Sequence, residues 1–206
     1  ERAAASDILL TKKGTSFKSM PEGSIIGTSS PRRKAQIKIL RPDLNTISVR
    51  GNIATRIKKL HDNHFDGLII AKAAMERLNL SFENTYEFSY QEMLPAASQG
   101  FIGIECISSN KDLIKMLGSI SSEKDMVLAE AERSFVAQLN GSCLSPIAIY
   151  CREESSHVLV SAKALSQNGD KQIFKEIISS YASINEDIRS LAKEFISKGA
   201  DKLILS

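Results

Sequence analysis

The stretch GTSSPRRKAQ, residues 27–36, places hydroxyl groups and cations within a few positions of one another. Ser30 and Pro31 favour a helix that begins at Pro31 with Ser30 as its N-cap. A helix N-terminus carries a partial positive charge, so each cation in the first turn is disfavoured by about 0.3–1 kcal/mol. Arg32, Arg33 and Lys34 fill that turn, and a bound anion would explain why they are there.

A second group of cations follows the next predicted strand. Arg50 ends that strand, Gly51 and Asn52 follow it, and Arg56 lies one helical turn beyond Asn52. Loops after the carboxyl ends of parallel strands meet at one edge of an α/β sheet. We therefore expect the two cation groups to approach each other and to favour a carboxylate or phosphate. The alternative, a solvated basic surface, stays open at this stage.

The surrounding block is strongly basic, which favours an anionic partner. Between residues 32 and 59 the single acid is Asp43, and the cations are Arg32, Arg33, Lys34, Lys38, Arg41, Arg50, Arg56, Lys58 and Lys59.

Cys143 lies in the stretch NGSCLSPIAIY, in a predicted loop between a helix and a strand. A lone cysteine is most often a buried structural residue, and no histidine is close in sequence to activate this one. The residues by themselves therefore make Cys143 a weak candidate for a reactive thiol. Cys106 and Cys151 are predicted to be structural.

Other familiar kinds of site are not indicated. The histidines form no metal-binding pattern, so we predict no metal site, and there is no P-loop or dinucleotide fingerprint. Glu130 and Glu132 cannot face each other on a helix and are expected at the surface.

Composition narrows the class of protein. The chain has 206 residues, 42% hydrophobic and 25% charged, with a net charge of +3. No apolar run approaches the roughly 20 residues of a membrane span, and few aromatics with no tryptophan argue against a nucleic-acid binder. The three cysteines form no CxxC pair, which favours a reducing cytoplasm. The beginning, ERAAASDILL, lacks a starting methionine and the order of a signal peptide, so we expect part of a longer chain.

The first half of the chain alternates strands and helices, which is typical of a parallel α/β sheet. The predicted strands are 24–30, 45–50 and 68–71, and the predicted helices are 31–40, 51–63 and the segment after 71. A further strand is predicted at 101–106.

The pattern of the second half of the chain predicts a small α+β domain, whose boundary with the first half lies near residues 119–123. Its predicted helices are 121–141 and 184–198, and its predicted strands are 146–151, 157–164, 171–178 and the final KLILS. SQNGD predicts the hairpin between the last two long strands. Leu128, Ala131, Phe135 and Leu139 form an apolar stripe on the first helix.

Five stretches, in order along nearly the whole chain, resemble the porphobilinogen deaminase family. They are GSIIGTSSPRRKAQ, RPDLNTISVRGNIATRIKKL, FDGLIIAKAAMERL, LPAASQGFIGIEC and AERSFVAQLNGSCLSPIAIY. The combination of GTSSxRR, RGNxxTR and GxC before xPI is specific to this family, whereas the last sixty or so residues correspond mainly in architecture.

The resemblance implies a transferase of tetrapyrrole (haem) biosynthesis that joins four porphobilinogen molecules into hydroxymethylbilane and releases ammonia. The family uses a dipyrromethane primer attached to a cysteine, which by motif is Cys143. The residues that match its carboxylate contacts are Thr28, Ser29, Ser30, Arg32, Arg33, Arg50 and Arg56, with Arg77 and Arg2 matching less closely. Gly51, Asn52 and Gln99 fall in the same motifs and are expected to shape the loops.

The resemblance also implies two α/β domains like those of periplasmic binding proteins, followed by a small α+β domain. Residues 1–96 match the second domain, 97–120 the returning strand and helix of the first, and 121–206 the third. The family's catalytic aspartate belongs to a Lys-Asp motif in the first domain, and neither VHSMKD nor anything like it occurs in residues 1–206, so we expect no catalytic residue and no activity in this chain alone. The full-length protein is expected to be a monomer. The rival hypotheses are a non-catalytic anion-binding module and a nucleic-acid binder.

Overall fold

A computed structural model describes residues 1–12 and 14–206 of the chain. Its elements in chain order are β1 (Asp7–Thr11), a 3₁₀ turn (Phe17–Ser19), β2 (Ile25–Gly27), α1 (Pro31–Leu40), β3 (Asn45–Ile47), α2 (Ile53–His61), β4 (Gly67–Ala71), α3 (Lys72–Arg77), β5 (Thr85–Glu87), α4 (Lys111–Ile120), α5 (Glu123–Gln138), β6 (Ile147–Glu154), β7 (His157–Leu165), β8 (Gln172–Ser179), α6 (Ile184–Ser197) and α7 (Ala200–Leu203). Within the described residues, no helix has the length and apolar character needed to cross a bilayer.

The first sheet is mixed and has the strand order β3-β2-β4-β1-β5. β2 runs parallel to β3 and β4, as the alternating pattern predicts. β1 and β5 were not predicted from the sequence. β1 pairs antiparallel with both of its neighbours, β4 and β5. Every residue of β1 is buried, so the strand lacks the alternation of a half-exposed strand, and Asp7 interrupts its apolar character.

The helix predicted at residues 31–40 is confirmed with those bounds. Ser30 caps it by accepting a hydrogen bond from the Arg33 backbone N–H, and Pro31 takes its first position. Apolar side chains pack on both faces of the sheet: Leu9, Ile26 and Ile37 belong to one cluster. Leu10 and Leu68 belong to the other. The sheet is therefore a buried layer, and α1 starts at the edge where β2 ends.

The second sheet is the predicted antiparallel meander β6-β7-β8, and its hairpin at SQNGD is confirmed. α5 and α6 cover one face, where the rings of Phe135 and Phe195 meet edge to face at 5.1 Å between centroids. The predicted stripe on α5 is buried, with Ala131, Phe135 and Leu139 wholly removed from solvent.

The strand predicted at residues 101–106 is wrong, because this segment has no regular structure and no described strand pairs with it. α4 follows it and buries none of its residues. Several large apolar side chains of this segment are exposed, among them Ile102 (69%), Ile107 (75%) and Ile120 (72%). Phe101 behaves differently, since it packs against the core under α5.

The strand predicted for the final KLILS is also wrong. After Gly199, which has a positive φ of 83°, the chain forms the short helix α7. Ala200 and Ile204 are four residues apart and both are buried, which is the spacing of one helical face.

Candidate functional site

A cleft of about 1060 Å³ separates the start of α1 from the loop that follows α5. Cys143, Ser30 and Arg32 all line it, although the cysteine is far from the other two in sequence. Its full lining is Ser30, Arg32, Ala96, Ala97, Ser98, Glu130, Arg133, Ser134, Val136, Ala137, Gly141, Ser142, Cys143, Ser145 and Ile147. The cleft thus joins the two sequence features that were candidates for chemistry.

The loop that carries Cys143 is folded tightly and presents this cysteine as an exposed side chain. Ser142 donates its backbone N–H to the Ser145 hydroxyl at 3.0 Å, and its own hydroxyl accepts from the Leu144 N–H at 3.1 Å. A Cβ on Gly141 would lie 2.3 Å from Cδ1 of Ile147, so a larger residue there would have to displace this buried side chain. The loop is therefore anchored at both ends while its thiol remains accessible.

The other two cysteines do not line the cleft. Cys151 is buried in β6, and burial raises the pKa of its thiol. Cys106 is partly buried in the irregular segment before α4. Of the three, Cys143 alone combines exposure with a place in the cleft.

Arg32 is 3% exposed, yet it contributes to the cleft wall. One guanidinium nitrogen, Nη1, donates to Asp7 Oδ2 at 2.8 Å and to the Leu94 carbonyl at 2.6 Å. Nη2 makes a longer contact of 3.3 Å with Gln99 Oε1. The third nitrogen, Nε, is buried and has no hydrogen-bond partner among the described residues. Buried donors are nearly always paired, and an ordered water or a ligand acceptor would satisfy this one.

Arg33 shares the same carboxylate. Its Nε and Nη2 donate to Asp7 Oδ1 at 3.1 and 2.7 Å, and its Nη1 donates to the Ile69 carbonyl at 3.2 Å. Burial by itself would raise the pKa of Asp7, but the charges and hydrogen bonds of Arg32 and Arg33 outweigh burial and lower it. Asp7 therefore stays ionised and explains part of the cation crowding at the start of α1. Sequence analysis missed it, although an acid directly before Ile8-Leu9-Leu10 was a signal of a buried charge.

The hydroxyl residues of the same loop divide their roles. Ser29 Oγ donates to the Val49 carbonyl at 2.8 Å and accepts from the Val49 N–H at 2.9 Å, so it ties two loops together. Thr28 is buried, and its hydroxyl accepts from the Ser30 N–H. Of the three, Ser30 lines the cleft.

Arg50 lies on the neighbouring loop, which the Ser29 link holds against the start of α1, and Arg56 lies near the start of α2, which follows that loop. Arg50 is exposed, and Arg56 donates from Nε to the Gly51 carbonyl at 2.7 Å. Gly51 has a φ of +119°, and Asn52 caps α2 by accepting from the Thr55 N–H at 2.8 Å. The two cation groups thus lie at the starts of α1 and α2, at one edge of the sheet, but Arg50 and Arg56 do not line the cleft itself.

Arg2 and Arg77 also lie outside the cleft lining. Arg77 donates to the Gly100 carbonyl. Arg2 makes two hydrogen bonds to the Glu132 carboxylate, at 2.7 and 3.1 Å. Gln99 donates to Asp7 Oδ1 at 2.9 Å and to the Ala5 carbonyl at 2.6 Å.

The surface position expected for Glu132 is wrong, because its side chain is fully buried. It lies where the part of the chain with the first sheet meets the part with the second sheet. Besides Arg2, its carboxylate accepts from the backbone N–H groups of Ser98 at 2.6 Å and Cys151 at 2.8 Å. Burial raises the pKa of Glu132, and Arg2 opposes that rise. The helical period predicts that Glu130 and Glu132 point in different directions. It does not predict that Glu132 faces the part of the chain that contains the first sheet.

Nothing in the sequence indicated that α5 lines the cleft, with the polar residues Glu130, Arg133 and Ser134 and the apolar Val136 and Ala137. Arg133 is exposed and has no ion-pair partner in the part of the chain that the structure describes. It adds a cation to the cleft lining on the same unit as Cys143.

Two contacts fix the unit that carries Cys143 against the first sheet. One is the buried pair of Arg2 with Glu132, in which the guanidinium also lies 4.4 Å from the Phe101 ring centroid. The other is the tip of the β7–β8 hairpin, where a Cβ on Gly169 would lie 2.5 Å from the Ala35 carbonyl oxygen of α1. Both contacts hold the part of the chain that carries Cys143 close to the first sheet.

Two family models match the chain. The dipyrromethane cofactor binding domain of porphobilinogen deaminase matches residues 1–115, and the C-terminal domain of porphobilinogen deaminase matches residues 126–196.

Curated relatives agree with these models. The porphobilinogen deaminase of Campylobacter jejuni strain RM1221 is 40% identical over 211 residues, which covers 99% of this chain and 67% of the relative. That of Campylobacter hominis is 40% identical over 206 residues with the same coverage. That of Campylobacter curvus is 34% identical over 200 residues, covering 96% of this chain and 64% of the relative. The chain spans about two thirds of the length of these relatives.

Among solved structures, a periplasmic binding protein of Salmonella typhimurium described as having high arginine specificity aligns with a TM-score of 0.39. The alignment has 13% sequence identity and covers 63% of this chain and 60% of that one.

Proposed function

Because this chain belongs to the porphobilinogen deaminase family, we propose that its cleft holds the family's dipyrromethane cofactor on Cys143. We propose further that the full-length protein joins four porphobilinogen molecules into hydroxymethylbilane and releases ammonia. The observation that carries this proposal is that the exposed Cys143 and the buried Arg32, whose Nε has no protein partner, line one cleft.

The cleft suits such a cofactor in size and in chemistry. Small-molecule sites usually measure roughly 300–1,000 Å³, and this cleft of about 1060 Å³ leaves room for more than a dipyrrole. Each pyrrole of a dipyrromethane carries an acetate and a propionate, and arginine forks bind carboxylates more strongly than neutral donors do. When bound, the cofactor supplies the free pyrrole carbon to which the first substrate is joined.

The chain's own residues hold and orient these acidic groups. The Cys143 thiol provides the covalent anchor, while Arg32 and Ser30 offer donors from the opposite wall. Arg133 lies on the anchor's side, and Arg50 and Arg56 lie before and within the first turns of α2, where a lengthening chain of pyrroles would need further cations. The roles of Thr28, Ser29, Arg33, Arg77 and Arg2 in binding remain predictions from the resemblance, and their contacts here are with protein groups.

The catalytic carboxylate is proposed to come from outside residues 1–206, since nothing among them resembles VHSMKD, the stretch that holds the family's catalytic Lys-Asp pair. We also propose that residues 97–120 belong to the domain that supplies it, residues 1–96 to a second domain and 121–206 to a third. The exposed Ile102, Ile107 and Ile120 support this division, because apolar side chains of that size normally have a packing partner. A monomeric state and a cytoplasmic location also remain proposals.

The test is formation of hydroxymethylbilane and ammonia from porphobilinogen by the full-length protein. Cys143→Ser should abolish both, because a serine hydroxyl does not form the thioether. Cys106→Ser is the matched control and should retain turnover, since Cys106 does not line the cleft. Turnover by the Cys143 variant at the rate of the parent would overturn the proposal.

A further inference from the structure

Asp7 is a buried carboxylate with four donor groups from three residues, one of which, Arg32, lines the cleft. It lies on β1, is 0% exposed, and accepts from Arg32 Nη1 at 2.8 Å and from Arg33 Nε and Nη2 at 3.1 and 2.7 Å. Gln99 Nε2 donates to it at 2.9 Å. The motif resemblance assigns Asp7 no role.

The carboxylate determines how the two neighbouring arginines are arranged. Two adjacent guanidinium groups in the first turn of a helix repel each other and are opposed by the helix dipole. With Asp7 between them the cluster has a net charge of +1, and both guanidinium groups have a fixed orientation. In that orientation the Nε of Arg32 is left as a buried donor without a partner, on a residue that lines the cleft.

We propose that Asp7 is a positioning residue for carboxylate binding: it orients Arg32 and Arg33 so that their remaining donors serve the acidic side chains of the ligand. This inference rests on the proposed function, because it assumes that the cleft binds carboxylated pyrroles.

The opposite role would be that of a placeholder, an internal carboxylate that the ligand must displace. The fold argues against it. Asp7 belongs to a strand that is paired on both sides, with Ala71 opposite it on β4, so it has no route away from the arginines. A buried carboxylate that lost both guanidinium partners would also be strongly disfavoured. We therefore expect the Asp7 contacts to persist when a ligand binds.

The two roles predict opposite results for Asp7→Asn, which conserves volume and removes the charge. The test uses the full-length protein with Cys143→Ser, so that porphobilinogen binds reversibly, and measures its affinity by calorimetry. The positioning role predicts an affinity about tenfold or more lower, because misdirected charge-assisted hydrogen bonds are lost. If Asp7 acted only through its charge, or as a placeholder, the Asp7→Asn variant should bind porphobilinogen more tightly, since the cluster becomes more positive. An unchanged or increased affinity would overturn the inference.

A spectroscopic measurement separates positioning from a purely structural role. In the parent protein the side-chain Nε–H groups of Arg32 and Arg33 should give slowly exchanging NMR signals, and the Arg32 signal should shift when porphobilinogen is added. In the folded Asp7→Asn protein both signals should exchange faster, and the Arg32 shift should shrink. Signals that are identical in the two proteins would contradict the proposal.

The matched control is Asp43→Asn, which removes the carboxylate of the Arg41–Asp43 ion pair near the surface and should leave the affinity unchanged. If Asp7→Asn does not fold, Gln99→Leu takes its place, since it keeps Asp7 and removes one of its donors. We expect about a threefold loss of affinity for that variant, and no loss would overturn the inference. A parent that does not bind porphobilinogen overturns the proposed function and this inference with it. A parent that binds, with an Asp7 variant that binds equally well, overturns this inference alone.

Discussion

The substitution Arg2→Met tests whether the buried pair with Glu132 holds the unit carrying Cys143 in place. The Glu132 side chain is fully buried and that of Arg2 is 10% exposed, so the variant leaves a carboxylate without its cation. Breaking a buried pair in this way costs about 3–5 kcal/mol. We expect the lower end, about 3 kcal/mol, because the carboxylate keeps its hydrogen bonds from the Ser98 and Cys151 N–H groups at 2.6 and 2.8 Å. For a chain of this size that corresponds to a fall in Tm of about 6–12 °C.

The loss of stability should depend on pH in a specific direction. Burial raises the pKa of Glu132 above the ordinary 4.5 even with Arg2 present, and removing Arg2 should raise it further. A carboxyl group with a raised pKa in the folded state holds its proton more tightly there than in the unfolded state. Its contribution to the stability of the fold is therefore greatest at low pH, where it is protonated in both states, and is lost as pH rises through the folded pKa. The deficit of Arg2→Met should therefore be largest at about pH 8 and smaller at about pH 5.

Urea denaturation at both pH values gives the free energies of unfolding. Lys124→Met is the control, because Lys124 lies on the same helix as Glu132 and forms an exposed ion pair with Glu153. Its loss should lower the free energy of unfolding by less than about 1 kcal/mol. Adding Glu132→Gln to Arg2→Met removes the buried charge and should recover stability. A deficit for Arg2→Met no larger than that of the control, or one that grows towards acid pH, would refute this reasoning.

Three further predictions concern the hairpin, the cleft and the activity. Gly169→Ala should destabilise the protein by more than Gly23→Ala in urea denaturation, because both glycines have φ near +80° but only the first would press a Cβ against α1. Arg133→Ala should weaken porphobilinogen binding about tenfold or more with little change in Tm, while Arg189→Ala, also an exposed helical arginine, should change neither; equal affinities would remove Arg133 from the site. Residues 1–206 alone should form no hydroxymethylbilane, and turnover comparable to that of the full-length protein would place the catalytic carboxylate within them.

Local signals in the sequence predicted much of the fold. Ser30 and Pro31 located the start of α1, and the NGD turn located the β7–β8 hairpin, because the residues that determine these features lie within the features. The strand prediction for the final KLILS was wrong because its β-like composition concealed a four-residue spacing of buried side chains. The strand at 101–106 failed because a strand needs a neighbour, and none of the described strands lies beside it.

The candidate site was predicted unevenly for a related reason. Local patterns identified the cations of α1 as unusual, whereas Cys143 was a weak candidate until the family motif supplied the context of the cleft. Asp7 and Glu132 could not be recognised from spacing, because the arginines that pair with them come from distant parts of the chain. Buried ion pairs of this kind depend on tertiary packing, and hydrophobic periodicity does not reveal them.

The central claim is that Cys143 carries the dipyrromethane cofactor in a cleft whose opposite wall binds its carboxylates. The most direct measurement is mass spectrometry of the intact full-length protein after exposure to porphobilinogen, followed by peptide mapping. The account predicts a single covalent dipyrromethane on the peptide that contains Cys143 and unmodified Cys106 and Cys151. A catalytically active protein with an unmodified Cys143, or with the adduct on another residue, would contradict it.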